Sequence, residues 1–377
     1  MGIKGLKRLI ADNAPDAIHE AAVPTYFGRS IAIDASMFLY SFLVAIRQDN
    51  AAFMLTDASG ETTSHLQGLF NRTIKFLEYG IKPVYVFDGK PPRMKGGELA
   101  KRSDKKREAQ DQLTEAQETG DDEAVAKLVK RTVKVTRKHN EESKRLLRLL
   151  GVPVVEAPCE AEAQCSELQK KGKVWAVGSE DMDAMTFGTD ILLRHITYSE
   201  ARKLPIHEVS LSKTLAGLDM NMDQFIDLCI LLGCDYCDSI RGIGPKRAID
   251  LMRKHGSLEE VLANLDKDKY PIPDLFPYEE ARDLFRNPEI KPGEEFDFTW
   301  SPPDREGLLK FLVEEKNFSE TRVTNALARI KKGKAKSSQG RIDSFFGAAP
   351  AKASKPAAKG KARKSAGRGA PPAKRRR

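Results

Sequence analysis

The chain has 377 residues, 40% of them hydrophobic and 31% charged, a balance that permits a large buried core and excludes a disordered polar chain. No apolar run approaches the roughly 20 residues of a membrane span, and MGIKGLKRLI lacks the apolar core of a secretory signal, so no membrane partner and an intracellular location are expected. The net charge of +9 is uneven: residues 331–377 hold 16 Lys or Arg against one acid, Asp343, which leaves 47 basic and 53 acidic residues and a net of −6 for residues 1–330.

That division means that a core binding nucleic acid does so through local basic patches, while the tail attracts polyanions diffusely. From the N-terminus, Leu6 stands where N-myristoylation needs Ser or Thr. SIAID (30–34), PVYVFD (83–88), VPVVE (152–156), VWAVGSED (174–181) and DILLRHI (190–196) read as buried parallel strands. HLQGLFNRTIKFLEYG and CEAEAQCSELQKKG read as helices between them, both closing on Gly. The fold class expected is α/β, a mostly parallel central sheet flanked by helices. Lys90 to about Leu150 is dominated by charge and reads as two long polar helices with a break at ETGDD. They form either a solvated hairpin or a cover over something anionic.

Residues 223–263 form a second helical block around RGIGPKRA, and after Ile330 a Lys/Ala/Gly/Pro/Ser tail begins that cannot fold alone. No internal repeat is present. The five cysteines cluster in the middle of the chain and are odd in number, which argues against a disulfide framework; Cys234 and Cys237 have metal-like spacing but no second pair at a zinc-ribbon interval.

In an open parallel sheet, ligands bind at the carboxyl ends of the strands. Asp34, Asp88 and Asp181 with Asp183 all stand at such ends, Glu160 and Glu162 follow VPVVE at a helix start, and Asp235 follows FIDLCILLG. Glu160 and Glu162, two apart, converge only if they occupy the first turn of their helix. Like charges at about 4 Å cost on the order of 4 kcal/mol per pair, and no Lys or Arg is interleaved in sequence to offset them. All-oxygen ligands favour Mg²⁺ or Mn²⁺, and seven acids exceed what one Mg²⁺ uses; two ions about 3.5 to 4 Å apart suit phosphodiester hydrolysis. Taken singly, each acid is an ordinary helix cap or loop residue; their convergence from separate segments makes the case.

MGIKGL, IAIDASMFLY, VYVFDGKPPRMKGGELAKR, APCEAEAQC, SEDMDAMTFG, LLGCDYC, RGIGPKRAIDL and QGRIDSFF, in this order and spacing, resemble the eukaryotic replication flap endonucleases of the XPG-type structure-specific 5′ nuclease family. The likeness covers residues 1–346. It implies metal ligation by Asp34, Asp88, Glu160, Glu162, Asp181, Asp183 and Asp235, the set reached from strand ends, and leaves Glu180 facing elsewhere. Lys95 and Arg102 match the basic residues that contact the scissile phosphate, and Tyr40, which periodicity alone reads as core, matches a ring that stacks beside the cut base. Gly2 becomes a candidate DNA contact once Met1 is removed. RGIGPKRA resembles the helix-two-turn-helix element that holds the duplex backbone through Gly242, Gly244, Lys246 and Arg247, with a K⁺ ion bridging turn and phosphate. The Lys90–Leu150 helices become an arch that orders around a threaded single strand. QGRIDSFF (339–346) resembles the peptide that binds the sliding clamp PCNA, anchored by Gln339, Ile342, Phe345 and Phe346.

The domain reading is thus a nuclease core over 1–330, with the arch at about 90–150 and the helix-two-turn-helix at about 223–263, followed by a basic tail over 331–377. The expected activity is Mg²⁺-dependent cleavage of 5′ flaps in branched DNA, with 5′–3′ exonuclease action, in Okazaki fragment maturation and base excision repair. Mn²⁺ is expected to substitute for Mg²⁺. The terminal KRRR suggests the nucleus, with nucleolus and mitochondria as further sites, and the expected state is a monomer. Cys159 and Cys234 stand where relatives often carry Ser, beside proposed ligands, so oxidation is expected to disturb the site. Two other classes fit the sequence less well. An aspartyl phosphatase wants Asp-x-Asp on the first strand, where Asp34 is followed by Ala35 and Ser36. A clamp-tethered, non-cutting scaffold predicts a damaged acid set, which this chain does not have.

Overall fold

The structure, a computed structural model, describes residues 2–46, 63–196, 204–274 and 276–336. Its seven strands are β1 (Ile18–Ala21), β2 (Ser30–Asp34), β3 (Lys82–Phe87), β4 (Val154–Glu156), β5 (Ala176–Gly178), β6 (Ile191–Arg194) and β7 (Ile206–Ser210). They form one sheet in the order β1-β7-β6-β5-β2-β3-β4. The five strands from β6 to β4 are parallel, while β7 runs antiparallel to both β6 and β1.

The central strands β2 and β3 carry the unbroken apolar runs IAI and PVYVF because both faces are covered, and alternate residues feed two cores. Ile31, Ile33, Tyr85 and Phe87 pack on one face with helices Ala35–Ile46, Ser64–Glu78 and Arg137–Leu149. Ala32, Val84 and Val86 pack on the other with helices Leu6–Asn13, Ala161–Lys170 and Met222–Leu232. Neither β1 nor β7 is legible as an apolar run, because IHEA, the edge strand, exposes its polar His19 and Glu20, and IHEVS, paired on both sides, carries His207, Glu208 and Ser210 half-buried.

The charged stretch after Lys90 contains three helices rather than two. Gly96–Thr119 and Asp122–Arg131 form a hairpin closed by Gly120 in the left-handed conformation and by Asp121, which accepts from the Ala124 N–H at 3.0 Å. Ala109, Leu113, Ala116 and Leu128 give this hairpin a small core of its own. The third helix, Arg137–Leu149, belongs to the main body, with Leu146 and Leu147 fully buried; its charged N-terminal half hid that apolar stripe. Residues 331–336, placed in the tail by composition, continue helix Glu320–Lys336, which packs along Ser64–Glu78.

Beyond the sheet, Arg282 ties three helices together. Its Nε donates to Asp227 at 2.7 Å and its Nη1 to Glu259 at 2.7 Å, while Asp227 also accepts from the Leu258 N–H at 3.1 Å. Asp227 is buried, so Arg282→Ala leaves an uncompensated charge and is expected to lower the unfolding free energy by about 3 kcal/mol. Urea denaturation measures it; a loss below about 1 kcal/mol would mark the pair as surface-like.

Candidate active site

The polypeptide reverses its winding direction at β2, which has β3 on one side and β5 on the other. Asp34 pairs in register with Val86, two residues before Asp88, and Ile33 with Gly178, three before Asp181. The acids therefore leave three neighbouring strands at one level, at the crevice where such sheets bind ligands. Asp88 accepts the Ala161 N–H at 2.8 Å, which seats its carboxylate on the N-terminus of helix Ala161–Lys170. Glu160 is the N-cap residue of the same helix and Glu162 lies in its first turn, the one arrangement in which this pair converges. One carboxylate oxygen each from Asp88, Glu160 and Glu162 lies within 4.8 Å of the others, and among the described residues this is the one grouping of three ligand-type side chains at that spacing. Among the described residues, Cys234 and Cys237 gain no third ligand.

Six acids, Asp34, Asp88, Glu160, Glu162, Asp181 and Asp235, line one cleft of about 540 Å³ together with Tyr40, Lys95 and Arg102. The seventh, Asp183, is buried behind Asp181, which accepts its N–H at 3.1 Å, and Asp183 accepts the Ile3 N–H at 2.8 Å. Glu180 turns the other way, accepting the His195 N–H at 2.6 Å beside Arg194.

Positive charge arrives from a segment distant in sequence. Lys95 Nζ stands 2.5 Å from Glu160 and 3.5 Å from Asp235, and Arg102 Nη2 stands 2.7 Å from Asp235. Burial works against the Lys95 charge, but Glu160, Glu162 and Asp235 outweigh it and raise its pKa. Two cations do not balance seven carboxylates. Burial first, then Asp34, Asp88 and Asp181, pushes Glu162 well above the carboxylate range; burial, then Asp181 and Asp235, does the same to Asp183. A cluster of hard oxygen donors that retains protons although Lys95 and Arg102 are paired with it fits divalent ions, whose binding would release those protons.

Asp34 makes this measurable. Burial, then Asp88, pushes its pKa from 3.8 to about 7. Between those values the unfolded chain is ionised while the folded one keeps its proton, so this group costs stability as pH rises, on the order of 4 kcal/mol in all. In EDTA the melting temperature of the wild type is expected to fall from about pH 5 to about pH 8, and that of Asp34→Asn to fall less. Added Mg²⁺ is expected to raise the wild-type value at the higher pH and leave the variant's nearly unchanged. Parallel pH slopes would contradict the assignment.

The remaining candidates divide. Gly2, at φ +74, sits against the acids themselves: a Cβ there would collide with the carboxylates of Asp181 and Asp183. Tyr40 is half-buried and faces the cleft rather than the core. Lys105, Lys106 and Arg131 line the cleft as well, and the sequence reading missed them. Arg102, Lys105 and Lys106 share one helix face by their spacing of three and four, a signal diluted by the charge around it.

At the turn, Gly242 has φ +85 and Gly244 is the N-cap of helix Pro245–His255, with open space where a Cβ would stand. Lys246 is exposed, whereas Arg247 donates to the Gly242 carbonyl and stacks 4.9 Å over Tyr270, so it braces the turn. Residues 2–5 connect turn and acids: the Lys4 N–H donates to the Gly233 carbonyl at 3.3 Å and Lys4 Nζ to Ser239 at 3.2 Å, while Gly5 packs on Pro245. Gln339, Ile342, Phe345 and Phe346 lie outside the described residues.

Burial, followed by Glu160 and Glu289, raises the Cys159 pKa, and burial pushes Cys234 up to about 12, so the reactive thiolate is scarce at both.

Residues 1–109 match the XPG N-terminal domain and residues 151–235 the XPG I-region. The sequence is 55% identical over 377 residues to Flap endonuclease 1 of Danio rerio, covering 99% of both chains, and 56% identical over 347 residues to that of Caenorhabditis elegans, covering 92% and 90%. Among solved structures, flap endonuclease-1 from Methanococcus jannaschii superposes with a TM-score of 0.67 at 35% identity, covering 87% of this chain and 98% of that one. The catalytic core of Rad2 in complex with DNA substrate gives 0.68 at 24% identity, covering 87% and 100%, a likeness of fold.

Proposed function

The chain belongs to the flap endonucleases of the XPG nuclease family and hydrolyses phosphodiester bonds at 5′ flaps in branched DNA, and we propose that it does so with two Mg²⁺ ions held by the seven acids of the cleft. The observation that carries this reading is the convergence of six carboxylates, Lys95 and Arg102 in one cleft. Bound there, divalent cations supply Lewis-acid activation of the attacking water and neutralise the leaving oxygen.

The chain's own residues supply the rest. Asp34, Asp88, Glu160, Glu162, Asp181, Asp183 and Asp235 fix where the cations sit. Lys95 and Arg102, which stand at the cleft against Glu160 and Asp235, would meet the charge that develops on the scissile phosphate. Tyr40 offers a face for the base beside the cut, and Lys105, Lys106 and Arg131 attract the phosphates of the single strand that passes beneath the hairpin. The Gly242–Gly244 turn and Lys246 grip the duplex backbone without reading sequence, and the same turn would hold a K⁺ ion whose charge favours phosphate. None of the six histidines lines the cleft, so no imidazole stands ready as base.

The same reading extends to Mn²⁺ as a substitute, 5′–3′ exonuclease action, and a monomer that works in the nucleus in replication and base excision repair. It also takes Gln339, Ile342, Phe345 and Phe346 as the anchors of a PCNA-binding peptide. The test of the two-ion claim is the single-turnover rate on a 5′-flap duplex against Mg²⁺ below saturation. A logarithmic slope near about 2 supports two ions, and a slope near about 1 reduces the site to one.

A further inference from the structure

Strands β2 and β5 are neighbours, and one small side chain joins the acids that leave their ends. Ser179 is 1% exposed; its hydroxyl lies 3.0 Å from Asp34 Oδ2, and the Asp181 N–H donates to that same hydroxyl oxygen at 3.0 Å. A hydroxyl has a single proton, and with Asp181 already donating to its oxygen, Ser179 gives that proton to Asp34. The other oxygen of Asp34 accepts the Met37 N–H at 3.1 Å, so both of its oxygens are oriented.

Ser179 also completes a longer chain of hydrogen bonds. The Ile3 N–H donates to Asp183, the Asp183 N–H to Asp181, the Asp181 N–H to Ser179, and the Ser179 hydroxyl to Asp34. Three acids are strung on this chain, and Ser179 is its one neutral side chain. Hydrogen bonds to the lone pairs that a metal does not use set the plane and direction of a ligating carboxylate.

We propose that Ser179 is a positioning residue for the divalent-cation site, setting the plane of the Asp34 carboxylate and the turn that delivers Asp181 and Asp183. This rests on the metal reading above, so its test keeps the two apart. Free Mn²⁺ is followed by electron paramagnetic resonance as it is titrated into the full chain without DNA, for wild type, Ser179→Ala, Ser179→Cys, Ser179→Thr and Asp181→Ala. Cysteine keeps the volume and lacks a strong donor, whereas threonine keeps the hydroxyl. Ser179→Ala and Ser179→Cys are expected to bind Mn²⁺ about 10- to 100-fold more weakly, and Ser179→Thr within about 3-fold of wild type. A hydroxyl that only braces the fold would instead lower the melting temperature in EDTA and leave Mn²⁺ affinity intact in both donor-free variants; that outcome overturns the proposal. If the wild type binds no Mn²⁺, or Asp181→Ala binds it equally well, the metal reading falls, and the Ser179 proposal with it.

Discussion

Lys95→Ala is expected to slow Mg²⁺-dependent cleavage of a 5′ flap by about 10²- to 10³-fold, the effect of removing one preorganised donor from a developing phosphate charge. Lys95 is fixed at the start of helix Gly96–Thr119, and its ammonium already lies inside the cleft, against Glu160 and Asp235. It needs no large movement to reach a phosphate placed over the acids, so little reorganisation opposes its action in the transition state. Binding of the flap depends on many backbone contacts along the duplex and should change little. Single-turnover kinetics separates chemistry from product release, and the loss should fall on the maximal rate rather than on the concentration dependence. An unchanged single-turnover rate would reduce Lys95 to a counter-ion of the acids.

Asp181→Ala is expected to have the larger effect, a fall of at least about 10³-fold, since losing the cations removes several kcal/mol of transition-state stabilisation. Asp181 lies at the centre of the cluster, among the charges that raise Asp34, Glu162 and Asp183. Removing it relieves repulsion, so in EDTA the variant should melt no lower than the wild type while Mg²⁺-dependent cleavage is lost. That combination distinguishes loss of a ligand from loss of the fold. A variant that melts lower and still cuts in proportion to its folded fraction would place Asp181 in a structural role.

Much of this site was legible because parallel strands buried on both faces read as apolar runs, and an acid at the end of such a run has few places to go. Asp34, Asp88, Asp181 and Asp183 could be placed on one edge of the sheet by that argument alone, and Glu160 and Glu162 by the condition that they share a helix's first turn. Tyr40 could not, because a half-buried ring has the same helical spacing as a core ring. Nor could the counter-charge: Lys95 and Arg102 meet Glu160 and Asp235 across 65 and 133 residues, a pairing set by the path of the hairpin. Arg247 carries a contact that spacing does not show, since its exposed guanidinium stacks over Tyr270 beside the turn. Ser179, hidden in VGSEDMDAM between more conspicuous acids, gave no signal in composition or spacing; its role depends on β2 and β5 being neighbours.

The central claim is that these acids hold the cations that cut DNA at a flap junction. The most direct test compares cleavage of a labelled 5′-flap duplex with that of the matching single strand and blunt duplex, in Mg²⁺ and in EDTA. Cutting at the junction of the flap substrate, far faster than on the other two and abolished by EDTA, is the predicted result. Tight binding of the flap with no cutting in Mg²⁺ would contradict it and leave a scaffold that holds branched DNA.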